Sequence, residues 1–283
     1  MPLVDSSSIV RTAHKRGCAV VQMNTNGGTY DLIRAIVETA EEEDAPVILG
    51  AYEANLAYRG FEYAGMAMRY FAERASVPVA IHLDHGSSVE ACRQAIDAGF
   101  SSVMIDGSHL PIEENVRQTQ DVVELAKAAG VSVEAEVGEL RKLNPDGSMT
   151  EGKNLSDPAE AERMAQETGI DMLAVGIGTA HGFYKGAPEL DFGLMETLSR
   201  NCPIPLVLHG TTGLDDDVVQ RCISLGMAKV NLGTLLRTRY VEWTGEVIAE
   251  DNHGGHPWRV SEGVLERMKN PMRHILRITG AAA

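Results

Sequence analysis

The chain has 283 residues, of which 44% are apolar and 5% aromatic, and its formal charge is −15 with a pI of about 5.0. That length suits one large domain or two small ones, with a core filled by aliphatic side chains and methionine. An acidic surface repels nucleic acid and anionic membrane, which excludes both as main partners, and no apolar run nears the ~18 residues of a membrane helix.

The opening segment, MPLVDSSSIVRTAHKRG, lacks the long apolar stretch of a secretory leader. The cysteines, Cys18, Cys92, Cys202 and Cys222, form no C-x-x-C pair. Reduced thiols and a cytoplasmic location are the expectation.

Apolar runs follow in chain order: CAVVQMN (18–24), PVILG (46–50), VPVAIHL (77–83), SSVMIDG (101–107), VSVEAEV (131–137), DMLAVGI (171–177), PLVLHG (205–210) and MAKVNLG (227–233). Between them lie segments such as YDLIRAIVETAEEE and SVEACRQAIDAG, with apolar residues at i, i+3 and i+4 and charge opposite. Gly99, Gly130 and Gly226 stand where helices should stop. Eight strand–helix repeats predict an α/β fold, a (β/α)8 TIM barrel forming one domain over 1–283; a doubly wound sheet is the second choice. The stretch 138–158, GELRKLNPDGSMTEGKNLSDP, reads as a long loop and a candidate lid.

Polar residues gather at the C-terminal ends of these strands: Asn24, Asp84 with His85, Asp106, Glu136, His181, His209 and Asn231. In a barrel these ends form one mouth, where catalysis is placed. His85, His181 and His209 each precede a glycine, and three neutral imidazoles around an open position make a catalytic zinc arrangement. Asp106 and Glu136 are candidates to orient an imidazole or to act as alternative ligands. Of the other histidines, His14, His253, His256 and His274 read as surface residues, His82 as a packing residue, and His109 as a loop residue after Asp106, with a place beside the metal site as the lesser alternative.

The loops GTAHGFYKG (178–186), HGTTG (209–213) and NLGT (231–234) are rich in small residues and hydroxyls. Loops after strands seven and eight of such a barrel often hold phosphate on backbone N–H groups. Here they offer Gly210, Thr211, Thr212, Leu232, Gly233 and Thr234, with Lys185 adding charge. GIGTAHG has the wrong spacing for a dinucleotide loop.

The segment HLDHGSSVEACRQAIDAGFSSVMIDGSHLPIEENV resembles the class II, zinc-dependent ketose-bisphosphate aldolase family. SVEAEVG, GTAHGFYKG, PLVLHGTTG, AKVNLGT and the terminal MRHILRITGAAA extend the resemblance over the whole chain. It implies one Zn2+ per subunit, with room for a monovalent cation, a phosphorylated sugar as substrate, and a homodimer or homotetramer. It implies reversible cleavage of a tagatose or fructose 1,6-bisphosphate-like ketose to dihydroxyacetone phosphate and an aldehyde, through an enediolate. His85, His181 and His209 match the zinc ligands, Asp84 the acid/base, and Asn231 the group that aids the enediolate. Gly182, Gly210, Thr212, Asn231 and Thr234 match contacts to dihydroxyacetone phosphate, Lys185 a phosphate-side lysine, and Asn24 an asparagine near the carbonyl. Arg237 matches an arginine that reaches the far phosphate in a neighbouring subunit.

The chain departs from the family pattern in its lid, where Glu139, Asp146 or Glu151 would have to supply the proton donor. It departs again at Tyr52, where a Ser or Thr is usual, and at Gly233, where fructose-bisphosphate members carry an acid. The glycine is closer to tagatose-bisphosphate and inositol-pathway members, so 6-phospho-5-dehydro-2-deoxygluconate is an alternative substrate. A metal-dependent hydrolase on the same histidines and a non-catalytic aldolase-like subunit are the other readings.

Overall fold

The structure is a computed structural model and describes residues 2–140, 143–144, 146–149, 155–250 and 253–282. Eight parallel strands close into a barrel in sequence order: β1 (Val20–Asn24), β2 (Val47–Tyr52), β3 (Val79–Gly86), β4 (Ser102–Ile105), β5 (Ser132–Val137), β6 (Met172–Val175), β7 (Leu206–Leu208) and β8 (Met227–Leu232). The closing pair runs from Val20↔Lys229 to Met23↔Leu232. The expected (β/α)8 architecture is therefore present. Most strands begin or end one to three residues from where apolar runs alone place them, and β3 continues through Asp84 and His85 to Gly86.

Helices follow the strands around the outside, among them α2 (Tyr30–Glu42), α5 (Val89–Asp97), α6 (Ile112–Ala129), α7 (Pro158–Glu167), α8 (Phe192–Asn201), α9 (Asp216–Ser224), α10 (Thr234–Ala249) and α11 (Pro257–Ile278). One face of each is apolar and packs on the outward-facing strand residues such as Val21, Met23, Leu49, Ile81, Leu83 and Val103, which form the main core.

The inward-facing residues change character along the barrel axis. Residues two apart on a strand share a face, so Val20, Gln22 and Asn24 point inward on β1, and Ala80, His82 and Asp84 on β3. At the N-terminal end this face is apolar: Val20, Ile48, Ala80, Met104, Met172, Ala174 and Val207 make a second cluster. The helix α1 (Ser6–Arg16) closes that end with Ile9, Val10 and Ala13. Its start is fixed by Asp5, which accepts from the Ser8 N–H at 2.9 Å, and its end by Gly17 at φ 69°. The opposite end is polar and holds the candidate site. Among the described residues no helix is long and apolar enough to cross a membrane.

The final long helix α11 is tied to α2 by charge as well as by packing. The largely buried Lys269 ammonium lies 2.7 Å from Glu38 and 2.9 Å from Glu42, and Arg273 and Arg277 both reach Glu43. Burial acts to raise the Glu38 pKa, but the hydrogen bonds and charges of Lys269 and Arg34 together outweigh it, while the Glu42 carboxyl is lowered chiefly by its own bond from Lys269. Carboxylates depressed in the folded state contribute stability above their unfolded pKa, and that contribution is lost as pH falls through the lower folded values. Lys269→Met keeps the aliphatic stem. After discounting for solvent screening we expect it to cost about 1 kcal/mol at pH 7, a melting shift of about 2–4 °C. The gap between variant and parent should narrow as pH drops below about 4; an unchanged gap in scans at pH 7 and pH 3 would contradict the assignment.

Candidate active site and metal centre

β3 delivers two functional groups side by side because its backbone is irregular there. Its register against β4 shifts between Leu83 and Gly86, and His85 adopts a left-handed φ of 52°. Such a bulge re-aims a side chain, and a non-glycine residue in that region holds only where its surroundings enforce it. Asp84 and His85, consecutive in sequence, thereby both line the cavity. Gly86 permits the turn, since a Cβ there would lie 2.5 Å from the Met104 carbonyl oxygen.

Three imidazoles from β3 and the loops after β6 and β7 meet at the mouth. One ring nitrogen of each of His85, His181 and His209 lies within 4.8 Å of the others, and ring centroids are 4.8–6.2 Å apart. Their outer hydrogen bonds fix which nitrogen faces inward. His85 Nδ1 donates to Asp106 Oδ2 at 2.7 Å, and His209 Nε2 donates to Glu134 Oε1 at 3.0 Å. In the neutral tautomers the lone pairs of His85 Nε2 and His209 Nδ1 then face each other at 3.1 Å. Two lone pairs at that distance would repel; a proton on His85 Nε2, donated to His209 Nδ1, or a metal ion held by both nitrogens removes the clash. The buried Glu136 Oε2, 3.8 Å from His209 Nδ1, has no hydrogen-bond partner among the described residues. These donors fit a divalent metal ion on His85, His181 and His209. His85, Asp106 and Glu136 form an overlapping second group.

The electrostatics agree with a site built for positive charge. Burial would lower the His85 pKa, but the bond to Asp106 and the fields of Asp84 and Glu136 override it and raise it to about 10. Burial, then the neighbouring Asp106 charge, push the Glu136 carboxyl well above its ordinary range. Burial also acts against ionised Asp84, yet His85, His209 and Lys229 hold it well below the carboxylate range. Asp84 Oδ2 accepts from Asn24 Nδ2 at 2.8 Å and its Oδ1 from Asn231 Nδ2 at 3.1 Å. Asp84 is therefore an ionised carboxylate between two amides and beside the imidazoles.

A cavity of about 710 Å3 opens over these groups. Of the residues expected from sequence it is lined by Asn24, Asp84, His85, Asp106, Glu136, His181, Gly182, Gly210, Thr211, Thr212, Asn231, Gly233, Thr234 and Arg237. Tyr52 lines it too, its ring edge-on to His85 with centroids 6.0 Å apart, and so do His109 and Glu139. The N-terminus of α10 faces this space from Thr234, and no side chain caps it from Gly233. The Thr211 hydroxyl donates to the Asn231 carbonyl at 2.6 Å, and the Thr212 hydroxyl accepts from the Leu235 N–H at 3.2 Å. Both hydroxyls thus tie the loops after β7 and β8 together, and the helix N-terminus and backbone N–H groups are what they offer an anion. Gly210 allows the close approach of these loops: at φ 71°, its Cβ would lie 2.6 Å from the Ala180 carbonyl oxygen.

Lys185 lies elsewhere, and Leu232 can offer the cavity only its backbone. Lys185 is exposed outside the cavity lining, with its ammonium 3.3 Å from Asp146, because its backbone N–H is tied to Gly147 at 2.8 Å. The Leu232 side chain packs into the main core. Among the lid acids, Glu139 lines the cavity, Asp146 pairs with Lys185, and Glu151 lies outside the described residues.

Three supporting residues escaped the sequence reading. Glu134 and Lys229 are fully buried below the mouth, beside His82, which was expected to pack there, and Tyr184 latches two loops by accepting from the Ala180 N–H at 2.8 Å and donating to the Gly210 carbonyl at 2.6 Å. The signal for the two buried ones was available: Glu134 is two before Glu136 and Lys229 two before Asn231, as His82 is two before Asp84, so each shares an inward face with a recognised residue.

The class II fructose-bisphosphate aldolase family profile matches residues 4–283. A fructose-bisphosphate aldolase of Geobacillus stearothermophilus is 45% identical over 263 residues, covering 92% of this chain and 91% of the relative. A 6-phospho-5-dehydro-2-deoxy-D-gluconate aldolase of Bacillus licheniformis is 41% identical over 285 aligned positions, covering 100% and 96%. The crystal structure of the YdjI aldolase from Escherichia coli K12 superimposes with a TM-score of 0.86 at 29% identity, covering 99% of this chain and 98% of that one.

The hydrogen bond from His85 to Asp106 sets both ring orientation and basicity. Asp106→Asn should weaken divalent-metal affinity about 10- to 100-fold, measured by competition with a chromophoric chelator. An unchanged affinity would show that Asp106 does not orient the ligand.

Proposed function

Because the chain belongs to the class II fructose-bisphosphate aldolase family, we propose that it is a zinc enzyme that reversibly cleaves a ketose phosphate between C3 and C4, releasing dihydroxyacetone phosphate and an aldehyde. The observation that carries this reading is the pair of inward-facing ring nitrogens on His85 and His209, each ring held by a carboxylate behind it, with a His181 nitrogen within 4.8 Å. Bound by these three, zinc would supply a Lewis acid that draws electron density from the ketose carbonyl.

The chain's own groups take the remaining tasks. The Asp84 carboxylate, ionised between Asn24 and Asn231, accepts the C4 hydroxyl proton. The C3–C4 bond then breaks, and its electron pair passes to the three-carbon fragment as an enediolate. Asn231 Nδ2, which donates to Asp84 Oδ1 at 3.1 Å and lies 3.1 Å from His209 Nε2, borders the cavity and would turn an N–H to that developing charge. Gly210, Gly233, Thr234 and the N-terminus of α10 hold the phosphate end. Among the described lid acids Glu139 lines the cavity, which supports it as the group that would return a proton to C3. Arg237 borders its own chain's cavity from the first turn of α10, so it serves substrate charge there whether or not a second subunit completes the site.

The first substrate reading is a tagatose or fructose 1,6-bisphosphate-like ketose. Tyr52 in the cavity and Gly233 beside Asn24 favour a second, 6-phospho-5-dehydro-2-deoxygluconate, and a relative of that name aligns over the whole chain. A homodimer or homotetramer in the cytoplasm completes the reading.

A panel of ketose mono- and bisphosphates, with and without chelator, should release dihydroxyacetone phosphate from one member and stop when metal is removed. Asp84→Ala should keep zinc but lose cleavage by about 100-fold or more, and His209→Ala should lose both. Full turnover by metal-free His209→Ala would refute the proposal.

A further inference from the structure

Below the catalytic carboxylate, one buried cation touches both halves of the site. Lys229 has no exposed surface, and neither has Glu134. The Lys229 Nζ lies 2.8 Å from Glu134 Oε2 and donates to Asn231 Oδ1 at 2.8 Å. Glu134 in turn accepts from His209 Nε2, and Asn231 donates to Asp84. An ammonium in such a place is costly unless its partners are fixed.

We propose that Lys229 is a positioning residue for carbon–carbon cleavage, holding the Asn231 amide with its N–H groups toward Asp84 and the substrate throughout the reaction. This rests on the roles given above to Asn231 and Asp84. An ammonium only donates, so the Asn231 atom facing it must be the carbonyl oxygen, and Nδ2 must face the cavity side. Asp84 alone cannot maintain that orientation. Once it has taken the C4 proton it is neutral and can itself donate, and an amide free to flip would present an acceptor to the developing enediolate. The contact from Lys229 Nζ to Asn231 Oδ1 involves no atom that takes part in that proton transfer. The same ammonium also contacts the carboxylate that faces His209, 2.8 Å from Glu134 Oε2 while Glu134 Oε1 faces His209 Nε2 at 3.0 Å.

The test uses dihydroxyacetone phosphate alone as probe, following exchange of its C3 hydrogen with solvent deuterium by NMR, since that exchange passes through the enediolate. Lys229→Met should slow exchange about 10- to 100-fold with zinc content, by elemental analysis, unchanged. In an Asn231→Ala background, which is itself slow, adding Lys229→Met should cost less than about two-fold more. Independent, multiplying losses would overturn the proposal, because a structural lysine would lower both backgrounds alike. So would a loss fully accounted for by missing zinc. Parent-like exchange in Asn231→Ala would overturn the role of Asn231 in the proposed function as well, which separates the two failures. Should Lys229→Met fail to fold with Glu134 left unpaired, the same cycle in a Glu134→Gln background removes the stranded charge and gives the same readings.

Discussion

Two imidazole nitrogens face one another 3.1 Å apart, His85 Nε2 and His209 Nδ1, and the rest of the site is arranged around that contact. Each ring is committed on its far side to a carboxylate, Asp106 or Glu134, so neither can turn its lone pair away. A proton shared between the two nitrogens or a metal ion held by both satisfies the pair, and His181 and Glu136 stand close by to complete a metal's shell. The acids Asp84, Asp106, Glu134 and Glu136 would be hard to collect in one low-dielectric pocket without compensating positive charge. Lys229 supplies part of it from below, and the metal-binding imidazoles supply the place for the remainder.

The barrel makes this concentration of charge affordable by separating it along one axis. α1 and the inward-facing Val, Ile, Ala and Met side chains close the N-terminal end, so burial there stabilises the fold without polar demands. Two residues higher on the same faces, the side chains become Gln22, His82, Glu134 and Lys229, and then Asn24, Asp84, Glu136 and Asn231 at the mouth. Strands hold the Asp84 carboxylate and the Asn24 and Asn231 amides, while glycine-bearing loops after β6, β7 and β8 bring in two imidazoles and backbone N–H groups that could meet an anion. Thr211, Thr212 and Tyr184 knit those loops to each other, so the anion cradle is fixed before substrate arrives.

Much of this was legible in the sequence, for definite reasons. Eight apolar runs with helical spacing between them permit few architectures, and polar residues at the ends of those runs can meet only at a barrel mouth. His85, His181 and His209 could be singled out because each stands beside glycine at a strand end. The interior ion network was harder to see: Glu134, Lys229 and His82 sit inside runs that read as buried strand, and only their two-residue offset from recognised groups betrays an inward face. Lys185 shows the opposite limit. Its neighbours do form the site, but a backbone hydrogen bond to Gly147 turns it toward Asp146, which no local pattern announces. The end of β3 was misplaced because an apolar run predicts a regular strand, whereas a bulge carries it on through His85.

Zinc K-edge X-ray absorption on the purified native protein tests the central claim most directly. The account predicts about one zinc per chain with a first shell dominated by imidazole nitrogen at about 2.0–2.1 Å, and no sulfur scatterer. A fully active preparation without bound metal, or a shell lacking histidine nitrogen, would contradict it.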